Sequence, residues 1–149
     1  MIDAVFDTNT FLQAAATENG PSDACWKIDE ERRIRVFVTE AILAELENVL
    51  TRPKLRRQLS RLTNHHVANM LATFRAYCSL VSEPEVVFQL ARDKDDAKFV
   101  DLAVTTGASY IVTRDRDLLD LRSDSAFSSQ FPDLQIVTPV GFMEIVRAK

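Results

Sequence analysis

The acidic residues of this sequence recur where short apolar segments end or begin. The acids at these junctions are Asp7, Asp93, Asp95, Asp96, Asp115 and Asp117. Carboxylates that converge repel one another, and a divalent cation is the simplest group that offsets the repulsion. All-oxygen ligands favour hard ions such as Mg²⁺ or Mn²⁺. Such an ion polarises a phosphoryl oxygen and lowers the pKa of bound water, so the pattern predicts metal-dependent hydrolysis of a phosphodiester or phosphomonoester.

Convergence of these acids depends on the strands that precede them. Short apolar or β-branched runs predict strands at 1–6, 35–38, 79–81, 110–113 and 135–137. Helical patterns alternate with these runs, which predicts an α/β fold: a three-layer Rossmann-like sandwich with a central, mostly parallel sheet of four to five strands. Right-handed crossovers place all carboxyl ends at one edge, where ligands bind. Asp7 and Asp115 are therefore expected to emerge at the same edge.

The predicted helix starts depend on side chains that can accept a backbone hydrogen bond. Asn9 or Thr10 is expected to cap the first helix. Ser22 or Asp23 is expected to start the second, which would run to about residue 33. Thr39 is expected to cap a helix over 40–50. Further helices are predicted within 54–77, from 95 or 96 to about 106, at 117–119 and after residue 138.

One more acid, Glu45, lies inside the predicted helix 40–50. Its neighbours in that helix are apolar, namely Ala41, Ile42, Leu46 and Val49. This pattern indicates that Glu45 points inward. Because an unpaired buried charge is costly, Glu45 is a further candidate for the cation site.

Length and composition set the class of protein. A chain of 149 residues predicts a single domain, 1–149. With 46% hydrophobic and 27% charged residues the composition is that of a globular protein. Cys25 and Cys78 are too few for a disulfide framework or a zinc site. The sequence has no apolar run of membrane-spanning length and no signal pattern, so we expect a cytoplasmic protein with no membrane partner.

The balance of charge argues against a general nucleic-acid binder, because 18 basic and 22 acidic residues give a net charge of −4. One local basic run nevertheless follows the Glu45 helix; its members are Arg52, Lys54, Arg56, Arg57 and Arg61. The run could bind a phosphate backbone, or it could be a solvated helix face that touches an acidic partner segment. Arg114 and Arg116, which flank Asp115, could contact substrate phosphate or balance charge.

Four segments of the chain resemble, in order, the PIN-domain ribonucleases. Within that family they are most similar to the small stand-alone members classed as toxins of bacterial toxin–antitoxin pairs. The segments are VFDTN at 5–9, the stretch 39–50 with Glu45 at its centre, 93–108 beginning DKDDAKF, and YIVTRDRDLL at 110–119. Together they extend over nearly the whole chain.

The resemblance implies Mg²⁺- or Mn²⁺-dependent cleavage of single-stranded RNA. By matching positions, the catalytic, metal-binding acids would be Asp7, Glu45, Asp96 and Asp115, with Asp117 either as a fifth ligand or as a group that orients the ligands. Asp93 also matches an acid of close relatives and is an alternative to Asp96 as the ligand. The groups that orient carboxylates or water would be Thr8, Asn9 and Thr113. Asp93 would join them if Asp96 is the ligand. The number of ions, one or two, stays open.

The resemblance also implies partners and leaves two other functions to be weighed. It implies a homodimer and, for toxin members, a cognate antitoxin that blocks the site. A phosphatase of the haloacid dehalogenase type would need a second Asp two residues after Asp7, where this chain has Asn9. A non-catalytic RNA-binding or scaffold protein with the same fold would have no need to keep mutually repelling acids.

Overall fold

The computed structural model of this protein describes residues 1–87 and 94–149, with side chains described from Asp96 onward in the second range. Its strands are β1 (Ile2–Phe6), β2 (Ile34–Val38), β3 (Ser79–Leu80), β4 (Tyr110–Val112) and β5 (Gln135–Val137). They form one sheet in the order β3-β2-β1-β4-β5, and all four pairings are parallel. The prediction of an α/β fold with a parallel sheet of up to five strands is confirmed.

The elements that flank this sheet include one short helix and one 3-10 turn that the sequence patterns did not predict. The helices are α1 (Thr8–Ala16), α2 (Pro21–Glu30), α3 (Glu40–Leu50), α4 (Pro53–Gln58), α5 (Asn64–Tyr77), α6 (Lys94–Thr106), α7 (Arg116–Asp120), α8 (Ser125–Gln130) and α9 (Pro139–Arg147). A single 3-10 turn, Leu121–Ser123, joins α7 to α8. This turn and α8 are the unpredicted elements. Over the described ranges, none of the helices is both long and apolar enough to span a bilayer.

The order of the strands creates a crevice between the carboxyl ends of β1 and β4. The chain moves outward from β1 to β2 and β3 on one side, and β4 and β5 lie on the other side of β1. Ligands of open parallel sheets bind at such a reversal of strand order. Phe6 pairs with Val112 at the end of the two strands. The residues that follow, Asp7 and Thr113, therefore leave the sheet side by side.

The two strands that flank this crevice, β1 and β4, are buried and form its floor. The last three residues of β1 and all of β4 are inaccessible to water, as expected for parallel strands covered by helices. Beside the sheet, the ring of Phe74 lies 5.0 Å from that of Phe11 and 4.7 Å from that of Trp26, centroid to centroid. The first pair of rings is tilted and the second is edge-to-face, and their packing holds α1, α2 and α5 together.

Helix starts differ from the prediction at four places. Two differences are small, because α6 starts at Lys94 and not at 95 or 96, and α7 starts at Arg116 and not at 117. Asp7 caps α1 by accepting a hydrogen bond from the Thr10 backbone N–H at 2.8 Å, so the predicted caps Asn9 and Thr10 were wrong. The second helix starts at Pro21, not at Ser22 or Asp23, since proline is already fixed in a helical φ. It ends at Glu30, short of residue 33, because Arg32 adopts a positive φ of 62°. The predicted cap of α3, Thr39, is confirmed.

Asp29 of α2 is a buried carboxylate that does not belong to the acids predicted to bind the ion. It is 3% exposed, and its Oδ2 atom has no hydrogen-bond partner in the described ranges. Burial raises the pKa of Asp29 to about 7, against the opposing effects of the Val36 backbone N–H and the Arg32 charge. The folded chain therefore keeps the proton of Asp29 at pH values where the unfolded chain has lost it.

We predict that Asp29→Asn changes how stability depends on pH. Between about pH 4 and pH 7 the folded wild type binds more protons than its unfolded chain, so this residue makes stability fall as pH rises. Asn cannot ionise, so the stability of the variant relative to the wild type should rise with a slope of up to about 1.4 kcal/mol per pH unit in that window. Urea unfolding at several pH values measures it.

The matched control is Asp133→Asn, because Asp133 is exposed. Its stability relative to the wild type should stay constant over the same range. A constant offset for Asp29→Asn as well would contradict the assignment of a raised pKa to Asp29.

Candidate metal site

Three acids from two helices meet at the carboxyl edge of the sheet. Asp96 is the third residue of α6, Asp115 caps α7 and Asp117 lies in the first turn of α7. One carboxylate oxygen of each lies within 4.8 Å of those of the other two, and all three residues are half-buried. Carboxylates at this separation repel one another. An oxygen-only donor set of this kind fits Mg²⁺ or Mn²⁺. We call these three residues the acidic cluster.

Two hydrogen bonds fix the position of Asp115. Its Oδ2 accepts the backbone N–H of Leu118 at 3.2 Å, and its own backbone N–H donates to Thr113 Oγ1 at 2.9 Å. The first bond caps α7, where a negative charge is favourable. Asp115 is thus placed by the start of a helix as well as by the end of β4. Asn at this position could make the same cap. A substitution of Asp115 by Asn therefore removes the charge and keeps the structural role of the side chain.

Asp7 lies beside the acidic cluster but is more deeply buried, with 3% of its surface exposed. Its Oδ1 accepts hydrogen bonds from the backbone N–H and the hydroxyl of Thr10, at 2.8 and 2.6 Å, and its Oδ2 accepts one from the Thr113 hydroxyl. Burial raises the pKa of Asp7, these hydrogen bonds lower it, and the nearby charge of Asp115 raises it. Among the described residues, Asp7 is not in the group whose oxygens lie within 4.8 Å of one another.

Thr10 belongs to the site, although the sequence analysis predicted only a helix-capping role for it. Its hydroxyl lies 2.6 Å from Asp7 Oδ1 and 3.0 Å from the carbonyl oxygen of Val112. A hydroxyl has one hydrogen, so Thr10 donates to one of these oxygens at a time. Because the Thr10 backbone N–H also donates to Asp7, the hydroxyl can donate to Val112 while Thr10 stays bound to Asp7. The available sequence signal was a hydroxyl residue three positions after a possible Asp cap.

The carboxylate of Glu45 binds two side chains, those of Thr8 and Lys98, which are close in sequence to Asp7 and Asp96. Its Oε1 accepts a hydrogen bond from Thr8 Oγ1 at 3.2 Å, and its Oε2 forms an ion pair with Lys98 of α6. The Glu45 side chain is 40% exposed, so the expectation that it points inward was wrong to that extent. An ion pair this accessible contributes about 1 kcal/mol or less to stability. Within the described ranges, Glu45 is likewise outside the acidic cluster.

The remaining predicted residues differ in how close they are to these acids. Thr8 and Thr113 are buried and bind site carboxylates, whereas Asn9 is exposed at the second position of α1. Asp93 lies outside the described residues. Arg114 and Arg116 are exposed on either side of Asp115.

The basic run lies beyond the far end of α3. Arg56 donates to the Leu50 carbonyl oxygen at 2.9 Å, so part of the run joins α4 to α3. Lys54 and Arg57 are exposed on α4. The 11 residues of α3 extend about 16 Å, and α4 follows its carboxyl end. The run is thus separated from the carboxyl edge of the sheet by the length of α3.

Comparison with known proteins identifies the class of protein to which this fold and this site belong. The profile of the PIN domain matches residues 3–117, so the chain belongs to the PIN domain family. The uncharacterized protein MJ1680 of Methanocaldococcus jannaschii is 31% identical over 144 residues, which cover 96% of this chain and 90% of that protein. The recognition of a PIN domain from the sequence is confirmed.

Solved structures share the fold at low sequence identity. The crystal structure of PAE2754 from Pyrobaculum aerophilum has a TM-score of 0.63 at 15% identity, covering 99% of this chain and 91% of that chain. VapBC2 from Rickettsia felis, solved bound to a DNA fragment from its promoter, has a TM-score of 0.58 at 12% identity, covering 92% and 98%. These similarities are similarities of fold.

We predict that Thr113→Val lowers stability through the loss of hydrogen bonds at the floor of the crevice. Val keeps the shape of Thr but leaves Asp7 Oδ2 without the Thr113 donor and the Asp115 backbone N–H without its acceptor. The expected loss is about 1–3 kcal/mol in the free energy of unfolding, measured in urea at pH 7.

The control for this substitution is Thr73→Val, since the Thr73 hydroxyl donates to the Asn69 carbonyl oxygen on the exposed face of α5. A change within about 0.5 kcal/mol is expected there. Equal losses for the two variants would show that the buried network adds nothing.

Proposed function

We propose that this protein is a divalent-metal-dependent endoribonuclease. The observation that carries the proposal is the meeting of Asp96, Asp115 and Asp117 at the strand-order reversal of a PIN domain. Two further acids are Asp7, whose pKa is raised by burial and by the charge of Asp115, and Glu45, which binds Thr8, the residue after Asp7. Mg²⁺ or Mn²⁺ bound there would polarise the phosphodiester and activate water for attack on phosphorus.

The residues of the chain divide the work of such a site. Asp96, Asp115 and Asp117 would hold the ion, and the helix start at α7 keeps the last two in place. Thr10 and Thr113 orient the carboxylate of Asp7 towards the same edge. The exposed side chains of Arg114 and Arg116 are available to bind phosphates of the strand.

The finer parts of the proposal concern substrate, partners and setting. We propose single-stranded RNA as substrate, a cognate antitoxin protein as inhibitor, a homodimer as the working form and the cytoplasm as location. Support comes from the similarity of four ordered segments to stand-alone toxins and from the shared fold with VapBC2. We also propose that residues 1–149 form one domain, supported by a single hydrophobic cluster that extends from Ala4 to Val146.

We predict that Asp115→Asn abolishes metal-dependent cleavage while leaving the fold intact. The substitution removes one charge from the acidic cluster but keeps a side chain that can cap α7. Cleavage of a fluorescent single-stranded RNA in Mn²⁺ or Mg²⁺ should fall by at least about 100-fold.

The matched control is Asp133→Asn, which makes the same chemical change at an exposed residue before β5, at the opposite edge of the sheet. It should cleave like the wild type. Undiminished cleavage by folded Asp115→Asn would refute the proposed site. If the wild type binds RNA and its melting temperature shifts with metal, yet it never turns RNA over, the protein is a binding or scaffold member of the family.

We predict that Arg114 and Arg116 contribute to RNA affinity through phosphate contacts. In the Asp115→Asn background, changing both to Gln should reduce the slope of log affinity against log salt by about 1.4 if each contacts one phosphate. Fluorescence anisotropy of a labelled single-stranded RNA measures the slope. The same change at Lys54 and Arg57 tests whether the basic run also binds the strand. An unaltered slope for the Arg114 and Arg116 pair would assign them to charge balance.

A further inference from the structure

Lys98 is a basic residue of α6 that forms an ion pair with one of the predicted site acids, Glu45. It stands two residues after Asp96 on α6, and its ammonium pairs with Oε2 of Glu45 on α3. The other oxygen of the same carboxylate accepts a hydrogen bond from Thr8, the residue after Asp7. Glu45 therefore binds two residues, Thr8 and Lys98, that are close in sequence to the site acids Asp7 and Asp96. Its own oxygens nevertheless lie outside the acidic cluster in the described part of the chain.

We propose that Lys98 is a positioning residue that competes with the divalent ion for Glu45. The inference rests on the proposed function, since it requires a metal at the acidic cluster. Before the ion binds, the Lys98 ammonium balances the charge of Glu45. With an ion bound at the acidic cluster, the Glu45 carboxylate would be drawn away from the ammonium of Lys98 and towards the ion.

Three properties of the pair indicate that Glu45 can exchange Lys98 for the ion. They argue against a permanent ion pair that only joins α3 to α6. Glu45 and Lys98 are 40% and 35% exposed, and ion pairs this accessible are weak, so the cost of opening the pair is small. Both side chains are long and rotatable, so either can move without a shift of its helix. A dication attracts a carboxylate more strongly than an ammonium does at the same distance.

The test measures Mn²⁺ affinity by calorimetry and by the electron paramagnetic resonance signal of the free ion, without RNA. The variants are Lys98→Met, Lys98→Arg, Glu45→Gln and the double variant Lys98→Met with Glu45→Gln. Lys27→Met is the control for net charge, because Lys27 also forms an ion pair, with Asp23 inside α2.

Competition predicts a specific pattern of affinities. Lys98→Met should bind Mn²⁺ about tenfold more tightly than the wild type, and Lys98→Arg, which keeps the pair, within about twofold. In the Glu45→Gln background the gain from Lys98→Met should shrink to about twofold, because no carboxylate is released. Lys27→Met should bind like the wild type.

Three outcomes overturn the inference. An equal gain in both backgrounds would show that Lys98 acts only by its charge through space. No gain in Lys98→Met would show that the pair does not compete with the ion. Absence of Mn²⁺ binding by the wild type would contradict the proposed function as well, whereas binding that is lost in Asp115→Asn but indifferent to Lys98 would leave that function standing.

A second readout follows Lys98 itself. In protein labelled with ¹⁵N-lysine, the ammonium resonance of Lys98, assigned with Lys98→Arg, should shift when Mg²⁺ is added to the wild type. It should stay in place in Glu45→Gln. A resonance that does not respond in the wild type, although Mg²⁺ binds, would establish Lys98 as a fixed structural cation.

Discussion

The hydrogen bond from Thr113 to the buried carboxylate of Asp7 joins the ends of the two central strands, and the geometry of the whole edge depends on it. Without such donors, a carboxylate buried to this depth would be very costly to keep. The same hydroxyl accepts the Asp115 backbone N–H, so one side chain sets the distance between the end of β1 and the start of α7. Thr10 adds a second tie, from Asp7 to the last residue of β4. The placement of Asp7 relative to Asp115 therefore depends on these two threonines as well as on the pairing of β1 with β4.

Asp7 and Asp115 each serve as a helix cap and as a member of the acidic edge. A cap alone is the ordinary explanation of an Asp after a strand. Capping does not explain why Asp96 and Asp117 stand within 4.8 Å of Asp115, because like charges at that distance oppose folding. The two roles are compatible, since a carboxylate has about four lone-pair sites, of which Asp7 uses three for hydrogen bonds and Asp115 uses one for its cap. The repulsion is the part of the arrangement that calls for a cation.

The sequence was sufficient for what depends on local pattern and on topology. Strands with apolar, β-branched residues and the Thr39 cap were predictable, and with them the parallel sheet and the shared edge of Asp7 and Asp115. The first cap was not predictable, because Asp7, Asn9 and Thr10 are all able to cap and only burial beside β4 selects Asp7. The pairing of Glu45 with Lys98 was beyond pattern as well. It depends on how α3 and α6 are placed relative to each other, and the spacing of residues along one helix carries no such information.

The sheet is closed off at both sides by very short strands. β3 has two residues and β5 has three, while the longer strands β1 and β2 lie inside. An exposed strand edge is a template on which another chain can add its own backbone, and the length of the edge limits how many hydrogen bonds such a chain gains. Two or three residues offer too few to hold a foreign strand. This architecture therefore protects the protein against edge-to-edge aggregation, even when it is crowded at high concentration.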